Sequence, residues 1–461
     1  GGATGVTTTT NGTITLQTGG SLVLLENLNS GSGAMSLTAS SGTVSEGGGV
    51  ITATGTLTLS GGASFNLNAA GNDLGTVTGS VSGTNVSLTD GTGTLTLDTF
   101  SHTNGAGAFA AESLTGDIVD TTSLTLAGTG SFTTDTSNSI ITLDNLAATG
   151  AIDLHTTGAS GNATIVNASA LTLATSAVGG NLSATASAGN LTDSGTATVG
   201  GTGSFTTSAS NATITLDQLA VTGAVDLHTT GASGNATIVN STALDLGAST
   251  LGGNLSATSD DIDLVGGAGT VTSAGASATI TLASRTAGTS IGVGSGAGSL
   301  AINATDLAAI GTFGGGLTIG NASGTAALTV GTASLTRSTT LVMSGAGGSI
   351  ATTSGTTLTM SGTNLLLDAG SVSLAGTLTG GGSTIVDVSR GAIILLRPGS
   401  ITKEELEKVL ETEVLTNTSD PEIRAPGQLE SHYAPNARVV VVSAEEAARA
   451  QASATQARDV V

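Results

Sequence analysis

The sequence predicts a mostly β protein: a repetitive parallel β-helix (solenoid) followed by a small truncated α/β segment. Three observations support this prediction. Large side chains are scarce, because 71 of the 461 residues are glycine and only 2% are aromatic. Apolar and polar residues alternate over short runs that end in clusters of Gly, Asn and Ser. A long segment also recurs 73 residues further along the chain. Short strands that repeat without intervening helices build a solenoid, in which neighbouring turns bury each other's inward side chains.

The composition excludes several other classes of protein. The glycines show no Gly-X-Y period, there are few prolines, and 38% of residues are apolar, so neither collagen nor a disordered chain fits. The net charge of −22 repels nucleic-acid phosphates, and no apolar run approaches the roughly 18 residues of a membrane span. We therefore expect no direct nucleic-acid binding and no membrane span. The absence of cysteine excludes disulfides and thiolate metal sites.

A change of composition divides the chain between Thr379 and Ser383. Residues 1–380 contain two basic and 20 acidic residues, whereas residues 381–461 contain eight basic and 12 acidic ones. All four prolines, both lysines and the only tyrosine follow the break. We predict a solenoid over 1–382, a second segment over 383–435 and a third over 436–461.

The internal repeat is a duplication within the solenoid. The sequence Gly-Thr-Gly-Ser-Phe at 128–132 returns at 201–205, and the whole run at 153–167 returns at 226–240. Seventy-three residues correspond to three or four turns of roughly 18 to 24 residues, a size typical of stacked β repeats. We expect Leu, Ile, Val and Ala to point inward, Thr to point outward, and Asn to hydrogen-bond between turns at the corners.

This style of sequence resembles the repeat regions of filamentous-haemagglutinin-like and autotransporter adhesins. The resemblance extends over 1–380 and lies in composition rather than in a motif. It implies an extended, secreted, surface-displayed rod that provides reach and adhesion toward an unknown surface or extracellular ligand. No cofactor is expected in the solenoid.

Few residues of the solenoid suggest chemistry. His155 and His228 each follow an Asp by two positions, at equivalent places in the repeat, which raises the question of a metal ladder. One His in each repeat cannot supply the three or four ligands of one site, so we interpret both as exposed strand residues. The Gly-rich run at 294–298 lacks the Lys and helix of a phosphate loop, and we predict a turn there.

The chain from Ser383 onward follows a different pattern. Residues 383–388 and 392–396 are predicted strands, and 397–399 a turn. Thr402 followed by Glu405 forms a capping-box pattern for a helix from Lys403 to about residue 411, with Glu404 and Lys408 as an i,i+4 pair. A polar linker follows, then a strand at 439–442 and an Ala-rich helix to about residue 457.

Three motifs in this part resemble the C-terminal part of threonylcarbamoyl-AMP synthase, a YrdC-like enzyme, in its long two-domain form. They are Ser-Thr-Ile-Val-Asp at 383–387, Leu-Leu-Arg-Pro-Gly-Ser-Ile-Thr at 395–402 and Ala-Pro-Gly-Gln-Leu-Glu-Ser-His-Tyr-Ala-Pro at 425–435. The resemblance implies that 383–435 is the end of the catalytic domain with its linker, and that 436–461 is the start of the truncated accessory domain. It also implies a nucleotidyltransferase that converts L-threonine, bicarbonate and ATP with Mg into threonylcarbamoyl-AMP for tRNA modification.

By this resemblance, three residues have assigned roles. Ser383 would contact threonine, Arg397 would pair with the ATP phosphates, and Tyr433, with His432 beside it, would close the linker over the nucleotide. A guanidinium suits bidentate phosphate contacts, and an aromatic side chain can exclude water from a labile adenylate. No catalytic or metal-ligating residue is assigned.

The departures from the family pattern predict that the chain is inactive as a synthase. The family has a Lys and an Arg near the triphosphate well upstream, whereas this sequence has no Lys before Lys403 and only Arg285 and Arg337 before Ser383. The two parts also indicate conflicting compartments, the cell surface for the solenoid and the cytoplasm for the tail. The alternative is a purely structural or adhesive surface protein whose tail is spurious or recombined.

Overall fold

Short strands separated by tight corners follow one another along most of the chain. The computed structural model describes residues 5–8, 10–361, 363–379, 385–387, 393–397, 402–410 and 412–416. It is 53% strand and 3% helix, and forms a parallel β-solenoid of about 18 turns. The predicted fold class is therefore confirmed.

The strands of the first half are, in chain order, β1 Val6–Thr7, β2 Ile14–Thr18, β3 Leu22–Leu24, β4 Leu28–Gly31, β5 Met35–Ala39, β6 Thr43–Glu46, β7 Ile51–Ala53, β8 Thr56–Gly61, β9 Ser64–Leu67, β10 Thr76–Val81, β11 Asn85–Asp90, β12 Leu95–His102, β13 Ala108–Ser113, β14 Ile118–Asp120, β15 Leu124–Leu126, β16 Thr129–Thr134, β17 Ile141–Ala148, β18 Ile152–His155, β19 Ala163–Asn167, β20 Leu171–Leu173, β21 Ser176–Val178, β22 Leu182–Ala186, β23 Leu191–Asp193 and β24 Ala197–Val199.

The second half contains β25 Gly203–Ser210, β26 Ile214–Val221, β27 Val225–Thr230, β28 Ala236–Asn240, β29 Leu244–Leu246, β30 Ser249–Leu251, β31 Leu255–Thr258, β32 Ile262–Leu264, β33 Val271–Ser273, β34 Thr279–Ala283, β35 Ile291–Val293, β36 Leu300–Ile302, α1 Ala304–Ala309, β37 Gly316–Gly320, β38 Ala327–Val330, β39 Ala333–Leu335, β40 Thr339–Met343, β41 Ser349–Thr352, β42 Thr357–Met360, β43 Leu365–Ala369, β44 Ser371–Leu374, β45 Thr377–Thr379, β46 Ile385–Asp387, β47 Ile393–Arg397, α2 Lys403–Leu410 and β48 Val414–Thr416.

Two long parallel sheets run through the solenoid. The first long sheet extends from β2 to β33, and the second long sheet begins at β3 and continues to β48. Through the middle of the solenoid the chain passes alternately through these two sheets, so one turn is two passes. Smaller sheets form further sides of the turns at either end, β1, β4 and β7 near the start, and β35, β36, β38, β41 and β44 with β39, β42 and β45 near the end.

The duplicated segments lie on opposite long sheets. Strand β16, with the first Gly-Ser-Phe, belongs to the second long sheet, whereas β25, with the second copy, belongs to the first. Seven passes separate them, because the chain runs through β17, β18, β19, β20 with β21, β22, β23 with β24, and then β25. At two passes a turn, the offset between the copies is about three and a half turns, in agreement with the predicted three or four. Paired strands confirm the turn size, since Ile141 lies opposite Ala163 and Ala163 lies opposite Leu182.

The core is a single column of inward side chains. In Ala163–Asn167 the burial alternates strictly, with Ala163 and Ile165 buried and Thr164 facing outward. This is the period of two that the sequence shows. Phe109 lies between two other rings, 5.4 Å from Phe100 and 5.7 Å from Phe132 between centroids. Outward hydroxyls form ladders between turns, such as Thr58 to Thr78 at 3.1 Å.

Asparagine side chains bond neighbouring turns at the corners, as predicted. Asn162 Oδ1 accepts from the Asn181 backbone N–H at 2.8 Å, and Asn181 Oδ1 accepts from the Thr202 N–H at 2.8 Å. The duplicated Asn235 and Asn254 do the same. These bonds satisfy backbone donors that the corner would otherwise leave unpaired.

The strand order reverses locally near residue 300. Strand β35 lies between β36 and β38, although β36 follows β35 in the chain. The Gly-rich run at 294–298 makes this reversal, so the predicted turn is confirmed. Gly296 needs the absence of a side chain, because a Cβ there would lie 2.0 Å from the Thr329 carbonyl oxygen. The short helix α1 follows, with Asn303 and Asp306 forming a capping box.

The tail continues the second long sheet across the predicted domain boundary. Strand β46 pairs in parallel with β43, β47 pairs antiparallel with β46, and β48 pairs in parallel with β47. The predicted helix is confirmed as α2, but its ion pair joins Lys403 to Glu407 at 3.5 Å instead of Glu404 to Lys408. Strand β48 lies where the sequence suggested a linker. The predicted strand at 439–442 and the helix after it lie outside the described residues.

Candidate functional site

The two His–Asp pairs do not form a metal ladder. His155 Nε2 lies 3.0 Å from Asp153 Oδ2, and the Ser131 hydroxyl donates to the same oxygen at 2.7 Å. Because the duplicated strands β18 and β27 belong to opposite long sheets, the second pair, Asp226 and His228, does not stack on the first. Within the described ranges, no group of three or more His, Asp or Glu side chains could hold a metal ion.

The same contacts do not make a nucleophilic site. In a hydrolase triad the Ser hydroxyl bonds to the His that removes its proton. Here Ser131 and His155 both bond to the carboxylate of Asp153, so the hydroxyl has no base. The contacts of Asp153 therefore join two neighbouring turns, through Ser131, and two residues of one strand, through His155.

Two duplicated carboxylates, the buried Asp120 and the half-buried Asp193, lie beside strand irregularities. Asp120 accepts from the backbone N–H groups of Asp144 and Asn145, at 2.9 and 3.2 Å. Burial, together with the charge of Asp144, raises the pKa of Asp120 to about 6. Its equivalent Asp193 accepts from the N–H groups of the corresponding residues, and burial raises its pKa as well. These carboxylates hold the backbone of the next turn and make no contact with a basic side chain.

The strongest candidate site is a groove where the solenoid meets the tail, which we call the junction groove. It has a volume of about 440 Å³. The solenoid wall is formed by residues of β34, β37, β40 and β43 and of the chain just before these strands, and the tail wall is formed by Val386, Ile393 and two leucines of α2, Leu406 and Leu410. Sheet pairing between β43 and β46 fixes the two walls side by side.

The groove is apolar, with one acidic group. Its apolar lining consists of Leu317, Leu365, Leu366, Val386, Ile393, Leu406 and Leu410. The only charged residue among the described lining residues is Asp368, which accepts from Ser344 Oγ at 3.3 Å. Threonine, serine and asparagine side chains complete the solenoid wall. Such a lining suits apolar side chains and disfavours a triphosphate, which needs cationic or N–H donors.

The groove residues from the solenoid carry a signal that the sequence analysis missed. The run Leu365-Leu366-Leu367 interrupts the alternation of apolar and polar residues. Leu365 and Leu367 point inward, so Leu366 points outward, where it is 37% exposed. In the two preceding strands the equivalent outward residues are Thr318 and Thr340. An outward Leu among outward Thr marks the place where the solenoid surface becomes apolar and lines the junction groove.

The residues assigned by resemblance are mostly beyond the described part. Ser383, His432 and Tyr433 lie outside the described residues. Arg397 ends β47, where its backbone lies opposite Ile385, but its side chain is not described. The structure therefore leaves the threonine and ATP roles of these residues as predictions.

Arg337, one of the two basic residues of the solenoid, makes its hydrogen bonds within the solenoid. The Arg337 guanidinium donates to the carbonyl oxygens of Gly311 and Ile310, at 2.7 and 2.8 Å, just after helix α1. Burial lowers the pKa of this group. Arg337 thus satisfies carbonyls at the end of a helix, as basic side chains commonly do.

Comparison with known families supports both parts of the chain. Residues 401–460 match the C-terminal domain of threonylcarbamoyl-AMP synthase, which confirms the resemblance of the tail. The matched span begins ahead of α2 and includes Tyr433, whereas Ser383 and Arg397 precede it. Residues 11–80 and 160–228 match repeats of unknown function. No curated protein and no solved structure matches the chain.

The fold and the matches together define a class of molecule. It is a repetitive parallel β-solenoid joined to a segment similar to the C-terminal domain of threonylcarbamoyl-AMP synthase. No helix among the described residues is long and apolar enough to cross a membrane.

Proposed function

We propose that the chain acts as an extended rod of the surface-adhesin type, whose solenoid provides reach and an outward polar surface for binding. The observation that supports this most is the continuous core of about 18 turns. At about 4.8 Å per turn, such a stack is roughly 85 Å long. The predicted surface localisation and extracellular ligand belong to this proposal.

A binding assay tests the adhesive part. Beads coated with the full-length chain are applied to immobilised fibronectin, collagen and a glycan array, with beads carrying a globular protein of similar net charge as the control. Saturable binding that the control beads lack is the expected result. Equal binding by both beads, or none, would contradict an adhesive role and would leave a passive spacer, the alternative that the sequence analysis kept open.

We also propose that the chain does not synthesise threonylcarbamoyl-AMP. Two observations support this. The described lining of the junction groove carries Asp368 and no basic side chain, and Arg337 is bonded to helix carbonyls. A site that stabilises the negative charge on a triphosphate during transfer needs cationic side chains or a metal ion at the phosphates. The solenoid occupies the position in the chain that the catalytic domain holds in the family.

Pyrophosphate release measures this activity directly. Purified full-length chain is incubated with ATP, Mg, L-threonine and bicarbonate, next to an intact two-domain threonylcarbamoyl-AMP synthase as the positive control. We expect no release that depends on threonine and bicarbonate. Release that depends on both substrates, and that Arg397→Ala abolishes, would establish the synthase function instead and would assign Arg397 to it.

A further inference from the structure

The tail forms the end of a sheet that belongs to the solenoid. Every parallel stack ends in a strand with unpaired N–H and C=O groups, and natural solenoids cover that edge. In the second long sheet, the strand after β43 is β46, which pairs with it at Leu367 and Asp387. Strand β47 then runs antiparallel to β46, with Val386 opposite Leu395. This is the only antiparallel pairing in the described part of the chain.

The antiparallel pairing changes which kind of strand can pair with the edge of the sheet. A parallel turn presents an edge on which another turn of the same kind can stack. After β46 the chain reverses, and the last described strand in the sheet, β48, is three residues long. Short strands are one of the devices by which sheets avoid adding further strands. The stacking pattern of the solenoid thus ends within the tail.

Helix α2 lies across the junction groove from the outward surface of the solenoid. Leu406 and Leu410 line the junction groove opposite Leu366, the outward residue that replaces the Thr of earlier turns. A further contact attaches the helix to the sheet, because Glu407 accepts from the Val414 backbone N–H at 3.0 Å. That hydrogen bond, helped by Lys403, lowers the pKa of Glu407. The apolar substitution in the solenoid and the apolar face of the helix are complementary.

We infer that strands β46, β47 and β48 with helix α2 serve as the C-terminal cap of the solenoid, so that a segment similar to part of an enzyme has a structural role here. β46 covers the edge of β43, and α2 lies opposite Leu366 across the junction groove. The inference does not depend on the adhesive role or on the absence of synthase activity, and its test uses neither assay.

Hydrogen–deuterium exchange of the full-length chain tests the cap. Leu406→Glu places a charge in the junction groove, whereas the control Leu415→Glu changes a leucine of β48 that is 45% exposed and does not line it. We expect Leu406→Glu to speed exchange in α2 and, at least about tenfold, in β43 and β40, because loss of a cap permits local opening. We expect Leu415→Glu to change these rates less than about twofold.

One control readout and one further variant test the same inference independently. Strands β17 and β26, far from the groove, report whether the solenoid itself remains folded, and their exchange should not change. A second variant, Leu366→Thr, restores the residue of earlier turns and should speed exchange in α2. If Leu406→Glu speeds exchange in α2 while β43 and β40 keep their protection, the tail rests on the solenoid without capping it. Unchanged exchange in α2 would show that the groove does not hold the helix, and would equally overturn the inference.

Discussion

Asn167 and Asn240 make the same four hydrogen bonds on opposite long sheets of the solenoid. Asn167 Oδ1 accepts from the Ala148 N–H, and its Nδ2 donates to the Ala148 and Ala170 carbonyls and to Ser169 Oγ. Asn240 repeats this pattern with Val221, Ala243 and Thr242. Both side chains are 1% exposed. The duplication has therefore preserved a buried polar network while moving it to the other sheet.

Replacing either buried asparagine should destabilise the solenoid to a similar extent. Asn167→Ala and Asn240→Ala each leave one backbone N–H unpaired inside the solenoid, which costs about 1 to 3 kcal/mol. The two carbonyls lose one hydrogen bond each but keep the one from the Ser169 or Thr242 hydroxyl. Chemical denaturation measures the loss, and Asn145→Ala, at an exposed position, is the control. A difference of more than about 1 kcal/mol between the two buried variants would contradict the equivalence of the networks.

The solenoid should become more stable as the pH falls from 7 to about 4. The pKa of Asp120 is about 6 in the folded chain, above its ordinary value of 3.8, so the folded state binds a proton more tightly than the unfolded state between these values. The unfavourable burial of the charge is fully present above pH 6 and is relieved on acidification, by at most about 3 kcal/mol. Thermal unfolding between pH 4 and pH 7 measures the change.

Two variants separate Asp120 from the rest of the acidic chain. Asp120→Asn should reduce the dependence on pH between 4 and 6, because this titrating group is gone. Asp193, whose pKa burial also raises, keeps part of the dependence. Asp98→Asn is the matched control: hydrogen bonds from Thr122 and its neighbours lower the pKa of Asp98, so the contribution of this carboxylate is lost only as the pH falls below its ordinary value of 3.8. An unchanged pH profile in Asp120→Asn would contradict the assignment.

Deleting one complete repeat should shorten the rod and leave it folded. Removal of 128–200 takes out one full repeat and joins Ala127 to Gly201, which begins the same Gly-Thr-Gly-Ser-Phe sequence. Three and a half turns at about 4.8 Å correspond to a loss of about 17 Å. Small-angle X-ray scattering measures the length. A shorter deletion, 128–189, joins Ala127 to a residue that does not begin a copy of the repeat. This deletion should unfold the turns around the new peptide bond. Equal stability of the two deletions would show that the equivalence does not matter.

Two glycines in one turn should respond differently to the same substitution. A Cβ at Gly107 would lie 2.1 Å from the Thr84 carbonyl oxygen and 2.7 Å from His102 Cε1, whereas one at Gly105 meets only the Ala127 oxygen at 3.6 Å. Gly107→Ala should therefore lower the free energy of unfolding by more than about 2 kcal/mol, and Gly105→Ala by less than about 0.5 kcal/mol. Denaturant titration compares them. Similar values for both would mean that the turn relaxes freely.

Local sequence was sufficient to predict the solenoid, because the strands and corners that build it are specified by short runs of neighbouring residues. Alternation in runs such as Ala163–Asn167 determines which side chains face inward, and Asn162 and Asn181 indicate corners that bond to the next turn. The outward Leu366 shows the limit of that reasoning. Its place among outward Thr residues became visible only when strand pairing set Thr340 beside it.

The candidate site was harder to predict, because its two walls come from parts of the chain with unrelated composition. Three motifs identified the tail correctly, and the match over 401–460 confirms that resemblance. They did not indicate that Val386 and Leu406 would face the last turns of the solenoid. The roles of Ser383, Arg397 and Tyr433 remain predictions from the resemblance.

By itself, the sequence determined the parallel β-solenoid, the internal duplication and the similarity of the tail to a known domain. Each of these follows from residues close together in the chain or from direct sequence likeness. Only the tertiary structure decided that the two copies of the repeat lie on opposite long sheets and that the tail extends the second long sheet. It also decided that β35 lies between β36 and β38 in its sheet. The physical reason is that every turn carries the same alternation with a period of two. This pattern fixes which side chains point inward but does not specify which strand lies beside which.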